Sequence, residues 1–154
     1  MNTSGQELEV KFYLTDLSAL QERLLAGGAM LMQERIHEVN LRFDTPAGDL
    51  SRSFRVLRLR QDAEGRVTYK GPGEEVAGVR QRQELEFVVS DFAAARAVFE
   101  ALGYQVSLMY EKYRTTYALD DVLVVLDEMP FGNFAEIEGP AGESIHSAAT
   151  KLGL

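Results

Sequence analysis

Glu7-Leu8-Glu9-Val10-Lys11 alternates charged and apolar side chains, and the alternation decides the fold. Successive side chains of an extended strand point to opposite faces. Glu7, Glu9 and Lys11 therefore share one face, while Leu8, Val10 and Phe12 share the other. The same phase recurs down the chain. Arg58 and Arg60 alternate with Leu57 and Leu59; Thr68 is in phase with Lys70; Arg80, Arg82, Glu84 and Glu86 oppose Leu85 and Phe87; Lys112 pairs with Arg114; Glu136 and Glu138 flank Ile137. One such strand is ordinarily a solvated outer face. Six strands whose facing positions are almost pure Glu, Arg and Lys call for another explanation. Neighbours of one sign, such as Glu7/Glu9 and Arg58/Arg60, repel unless a counter-ion or ligand lies between them, and function is the usual reason to tolerate that cost.

Period-two stretches at 7–14, 30–44, 54–61, 66–71, 79–89, 104–119, 122–127 and 134–138 predict strands. Helices are predicted at 16–26 and 92–102. Thr15 or Asp16 and Ser90 or Asp91 are available as caps, and Gly27-Gly28 and Gly103 stop them. A weaker helical pattern covers 142–151. Asp120-Asp121 and Ala63-Glu64-Gly65 predict tight turns, and 71–78 is the longest loop-like stretch. Gln6-Glu7-Leu8-Glu9 recurs as Gln83-Glu84-Leu85-Glu86, 77 positions later, and Leu31-Met32 and Glu34 match Leu108-Met109 and Glu111 at that offset. A pseudo-two-fold internal repeat is expected, with both helices between these anchors and no gap.

The 154 residues predict a single domain, 1–154, with a hydrophobic fraction of 45% suited to a packed core. Absence of Cys excludes disulfides and thiolate chemistry, and two His make an imidazole-rich metal site unattractive. The net charge of −8 argues against nucleic acid as a partner. No apolar run approaches the ~18 residues of a membrane span, and the first ten residues lack a basic, apolar leader, so the expected location is cytoplasmic, away from membranes.

An α+β fold satisfies every strand at once: a closed or nearly closed antiparallel β-barrel with a charged lumen, its apolar outer face covered by helices. The lumen candidates are Glu7, Glu9, Glu84, Glu86, Asp127, Glu136 and Glu138 against Lys11, Arg58, Arg60, Lys70, Arg80, Arg82, Lys112 and Arg114. Clustered carboxylates suit hard divalent cations, magnesium (Mg) or manganese (Mn). Rings of Arg and Lys suit phosphate.

Glu7-Leu8-Glu9-Val10-Lys11 resembles the ExExK signature of the CYTH superfamily, the triphosphate tunnel metalloenzymes. Phe43-Asp44-Thr45, Leu57-Arg58-Leu59-Arg60, Thr68-Tyr69-Lys70-Gly71-Pro72, Arg82-Gln83-Glu84-Leu85-Glu86, Glu111-Lys112-Tyr113-Arg114, Leu126-Asp127-Glu128 and Gly132-Asn133-Phe134-Ala135-Glu136-Ile137-Glu138-Gly139 follow in the family's order. The resemblance implies an eight-stranded tunnel binding a triphosphate and a divalent metal. It implies metal ligation by Glu7, Glu9, Asp127, Glu136 and Glu138. Lys11, Arg58, Arg60, Lys70, Arg82, Lys112 and Arg114 would bind phosphate, and catalysis would fall to Glu7, Glu9 and Lys11. The chain ends at Leu154, where family members usually continue through a tunnel-closing segment, so a truncated chain or a more open tunnel is expected.

Three activities remain open: hydrolysis of tripolyphosphate, ATP or thiamine triphosphate; a class IV adenylyl cyclase reaction; and non-catalytic nucleotide or polyphosphate binding. A fourth alternative is an interaction module whose charges are merely solvated, and a homodimer is also left open. No aromatic cluster stands out near the phosphate residues, which favours a triphosphatase over a cyclase. His37 fits a structural role better than a general acid, and a bulge near Ile36 would turn it outward with Val39 while Glu38, Asn40 and Arg42 face inward. Tyr110, Tyr113 and Tyr117 fit the outer core.

Overall fold

A computed structural model describes residues 5–154. Nine strands and four helices follow in order: β1 (Gln6–Leu14), α1 (Leu17–Ala26), β2 (Met30–Asp44), α2 (Asp49–Arg52), β3 (Val56–Gln61), β4 (Gly65–Lys70), β5 (Glu74–Val76), β6 (Val79–Val89), α3 (Phe92–Ala101), β7 (Gln105–Leu119), β8 (Val122–Met129), β9 (Gly132–Glu138) and α4 (Gly142–Leu152). All strand pairs are antiparallel. Pairing runs β1-β9-β8-β7-β2-β3-β4-β6-β5, and β1 also pairs with β6. Gln6–Glu9 against Arg80–Gln83 supplies that last ladder, so eight strands form a ring of pairings.

The ninth strand, β5, corrects the expected eight and lies inside the stretch predicted as loop. It pairs with Val79–Gln81 through a two-residue turn, Ala77-Gly78, with both residues at positive φ (51° and 77°). That is the mirror-image turn whose twist suits a hairpin. The predicted Asp120-Asp121 turn joins β7 to β8, with Asp120 at φ 53°.

Asp16 and Asp91 are the caps chosen. Each carboxylate accepts the backbone N–H of the residue three further on, Ala19 at 3.0 Å and Ala94 at 2.9 Å. These caps, the ten-residue helices α1 and α3, and the fifteen-residue strands β2 and β7 all correspond at an offset of 75, which corrects the expected 77. The segment from Glu9 to Asp16 is two residues longer than that from Glu86 to Asp91. The short sequence matches are thus out of step with the helices they flank. Bulges in the β2–β7 ladder, between Leu31/Gln33 and Gln33/Ile36, absorb further slippage.

Apolar side chains pack outside the ring in two clusters. Leu20 and Leu24 of α1 and Ile145, Ala148, Ala149 and Leu152 of α4 are buried against Leu14, Val124, Leu126 and Ile137. Phe92, Ala95 and Phe99 of α3 cover Leu41, Phe43, Leu59 and Val67. Each fully buried Leu contributes about 1.5–3 kcal/mol.

Helix α2 has no counterpart in the sequence reading, because it is too short for a periodic stripe. Asp44 builds it. Its buried carboxylate accepts the N–H groups of Thr45 (2.8 Å), Leu50 (2.9 Å) and Ser51 (3.0 Å) and the Ser51 hydroxyl (2.8 Å). Burial opposes the charge, but these bonds outweigh it and hold the Asp44 pKa below the usual carboxylate value. Asp44→Ala should cost about 3 kcal/mol in chemical denaturation, since hydrogen bonds to a charged group are each worth about 1.5–3 kcal/mol. A depressed pKa gives a contribution present above the unfolded value of about 3.9 and lost as pH falls through the folded value. The variant should therefore lose least, relative to the parent, in acid.

Candidate active site

The inward faces of the eight ring strands enclose a cavity of about 1350 Å³. Among the described residues, ten acidic and ten basic side chains line it, so charge is balanced there inside a chain that is acidic overall. All twelve residues singled out from the sequence border this one space: Glu7, Glu9 and Lys11 from β1, Arg58 and Arg60 from β3, Lys70 from β4, Arg82 from β6, Lys112 and Arg114 from β7, Asp127 from β8, and Glu136 and Glu138 from β9. Arg80 reaches it from the exposed end of β6. Val10, Leu85 and Phe87 also border the cavity, although their phase turns them outward.

Two ion-pair networks divide the interior. At one end the Lys70 ammonium donates to both Glu7 oxygens at 2.9 Å and lies 3.3 Å from Glu84, while Arg82 reaches Glu7 (3.3 Å) and Glu9 (3.6 Å). At the other, Arg114 donates to both Asp127 oxygens at 2.7 Å and reaches Glu136 at 3.4 Å. Lys112 donates to Asp127 at 2.9 Å, and Lys11 meets Glu136 at 2.9 Å.

The carboxylates consequently separate into two kinds. Burial opposes ionisation of Glu136, but Arg114, Lys11 and Lys112 prevail and bring its pKa down to about 2. Asp127 is likewise lowered against burial, by Arg114 and Lys112. Glu138 moves the other way, raised by burial and by Glu7. Glu9 is raised by burial, which Lys70 opposes and Glu136 and Glu7 reinforce. Glu84 is pushed up to about 7 by burial, which Lys70 opposes and Glu7 and Glu86 reinforce. Glu9 and Glu138 face each other directly across the β1–β9 ladder.

Among the described residues, no three acidic or imidazole side chains converge closely enough to hold a metal ion as they stand. The donor chemistry nonetheless fits one. Glu9 and Glu138 are hard oxygen donors, each repelled by Glu7 and Glu136, a strain that a divalent cation relieves. Asp127 fits less well, because Arg114 and Lys112 already occupy its oxygens.

The cations are not fully satisfied by these acids. The buried Nε–H groups of Arg58, Arg60 and Arg66 lack a hydrogen-bond acceptor, the Arg60 Nε lying 3.5 Å from Asp62 without a hydrogen bond to it, and Arg58 has no carboxylate in ion-pair range among the described residues. Such donors are expensive to leave unpaired in a finished protein interior.

Several cavity residues escaped the candidate set. Glu38 is 1% exposed and lies between Arg60 (3.6 Å), Lys112 (3.7 Å) and Arg114 (3.8 Å). Asn40, fully buried, donates to it at 3.5 Å. Tyr110 lines the cavity, correcting its assignment to the outer core; it is in phase with Lys112 and Arg114, and that period-two signal was available. Tyr117 is in the outer core. His37 faces outward against Tyr113 (ring centroids 5.2 Å apart) and Glu111 (3.7 Å), after the bulge expected near Ile36.

An aromatic cluster does stand beside the phosphate residues, contrary to the sequence reading. Tyr13 and Phe131 each meet Phe134 edge-on, with centroids 5.6 and 5.9 Å apart, and the Lys11 ammonium lies 5.5 Å from the Phe134 ring centre. These rings are scattered in sequence and meet only through the β1–β9 register.

The CYTH domain family matches residues 5–151 of this chain. Among solved structures, a candidate adenylate cyclase from Vibrio parahaemolyticus superposes with a TM-score of 0.86 at 21% identity, covering 97% of this chain and 90% of that one. PH1012 from Pyrococcus horikoshii does so at 0.82 and 26%, covering 96% and 90%. A Hippeastrum protein first taken for an adenylyl cyclase, in which triphosphatase activity dominates, gives 0.70 and 22%, covering 96% and 88%. No curated protein matches the chain in sequence.

Proposed function

The chain belongs to the CYTH domain family, and on that footing we propose that it hydrolyses a triphosphate held, with a divalent cation, in the charged cavity, which we read as a tunnel. The observation that carries this reading is the surplus of buried Arg donors facing a cavity otherwise balanced in charge. Lys11, Arg58, Arg60, Lys70, Arg82, Lys112 and Arg114 come from five strands and are spread around the wall. A chain of phosphates engages several of them together, whereas a lone phosphate leaves most of them unmatched.

Arg58 and Arg60 supply the unspent N–H donors, and guanidinium forks suit phosphate oxygens. Glu38 and Asp127 hold Lys112, Arg114 and Arg60 in place, so the positive charge is arranged before substrate arrives. Glu9 and Glu138, with Glu7 beside them, would hold magnesium or manganese. When bound, that ion supplies charge neutralisation and Lewis acidity at the phosphates.

The test is product analysis with tripolyphosphate, ATP and thiamine triphosphate under magnesium, under manganese and with the metal chelated. Orthophosphate release that stops on chelation is expected. In competition binding with metal present, tripolyphosphate should exceed pyrophosphate, and pyrophosphate should exceed phosphate; equal affinities would refute the extended site. Cyclic AMP as the main product from ATP would replace this reading with the class IV adenylyl cyclase reaction, which the aromatic cluster favours as the second choice. Triphosphate binding without turnover would leave a nucleotide or polyphosphate sensor.

A further inference from the structure

We propose that the ring cluster of Tyr13, Phe131 and Phe134 seats a planar heteroaromatic group attached to the bound triphosphate, so that the substrate is an organic rather than an inorganic triphosphate. This rests on the triphosphate reading of the same cavity.

The β8–β9 hairpin builds the cluster. Its tip is Pro130-Phe131, and Phe134 follows three residues later in β9, paired with Tyr13 of β1. Phe131 and Phe134 line the cavity, Phe134 in phase with Glu136 and Glu138, and Tyr13, in phase with Glu9 and Lys11, stands against Phe134. A side chain at Gly132 would put its Cβ 2.8 Å from the Tyr13 ring, so the hairpin backbone is moulded directly against that ring.

The cluster is also left open. Phe131 is 72% exposed and Tyr13 65% exposed. Their contacts with Phe134 are both edge-on, at interplanar angles of 67° and 73°, so neither has a parallel-stacked partner in the cluster. Aromatic rings grouped in water at a cavity mouth forgo the burial that normally stabilises them. A planar group laid against one of them recovers it, and such stacking accepts any aromatic heterocycle.

Lys11 joins the two halves of the proposed ligand. Its ammonium is 2.9 Å from Glu136 in the charged network and 5.5 Å from the Phe134 ring centre. A phosphate chain reaching Lys11 therefore ends next to the rings. The exposed ring contributes little to the packed core, so its removal should spare the fold.

Calorimetric titration of the full chain with tripolyphosphate, ATP and thiamine triphosphate, magnesium present, separates the two claims. Phe131→Ala and Phe134→Leu should weaken ATP or thiamine triphosphate binding about tenfold and tripolyphosphate less than twofold. The organic ligand that loses more identifies the ring. Equal losses for all three ligands would make the cluster a support for Lys11 and overturn the proposal, as would unchanged organic-triphosphate affinity. Tripolyphosphate binding by the parent chain tests the underlying reading alone; if neither it nor the organic ligands bind, both claims fall together.

Discussion

Glu138→Gln should lower triphosphate turnover by a factor of 100 to 1000 while leaving the fold and the tripolyphosphate affinity nearly unchanged. The size follows from removing one fixed charge from the preorganised site of the proposed triphosphate hydrolysis, worth about 3–4 kcal/mol. Glu138 is the residue on which to ask this. No cation stands within ion-pair distance of it among the described residues, whereas Glu136, two positions earlier, is held by Lys11 and Arg114. Burial and Glu7 both raise the Glu138 pKa, so its charge is a strain on the apo protein rather than a support. Gln keeps the shape and relieves that strain, and the variant's thermal midpoint should stay level or rise. Glu136→Gln makes the contrast. It takes the carboxylate from Lys11 and one of three from Arg114, whose bonds to Asp127 remain, so its loss should appear largely in KM. A Glu138→Gln protein with near-normal kcat would remove Glu138 from the site's chemistry.

The ring of strands was legible because one physical rule governs all of it. Period-two alternation assigns Glu7, Arg58, Arg82, Lys112 and Glu136 to one face without reference to their neighbours, and all of them border the cavity. Features set by pairing between distant strands were less legible. The inward turn of Glu38 was expected only if a bulge fell near Ile36, because a one-residue slip reverses which face a side chain takes; the β2–β7 ladder supplies that irregularity between Gln33 and Ile36. The aromatic cluster likewise exists only when β1 meets β9. Short elements escaped for a different reason. β5 is three residues and α2 four, below the length at which periodicity carries a signal. Asp44 was visible as part of a family block, but its job as the acceptor of three backbone N–H groups depends on the fold of 45–51. The 77-residue offset misled because identical short strings sit on equivalent strands two steps out of phase.

Asp127→Asn should destabilise the protein by about 3 kcal/mol, a fall in Tm of roughly 6–12 °C for a chain of this size. Resemblance alone assigns Asp127 to metal binding, and a metal ligand in a metal-free protein contributes little stability or even subtracts from it. The geometry points the other way. Asp127 is 2% exposed, and both its oxygens accept from Arg114 at 2.7 Å while Lys112 adds a third bond at 2.9 Å. Burial opposes charge on Arg114, and Asp127 is foremost among the groups that offset it. Lys112 is less secure: burial and Arg114 lower its pKa despite Asp127 and Glu38. An amide at position 127 keeps one acceptor oxygen, replaces the other with a donor NH2 and supplies no charge, leaving two buried cations with Glu38 and Glu136 as their remaining acids. Those cations should then shift or, for Lys112, lose the proton, and tripolyphosphate affinity should fall with stability. The decisive measurement is thermal unfolding of parent and variant in chelator, followed by titration with magnesium. A large loss of stability already present without metal identifies Asp127 as the residue that positions the phosphate-binding cations. A variant as stable as the parent in chelator, yet no longer responsive to magnesium, would return Asp127 to the metal.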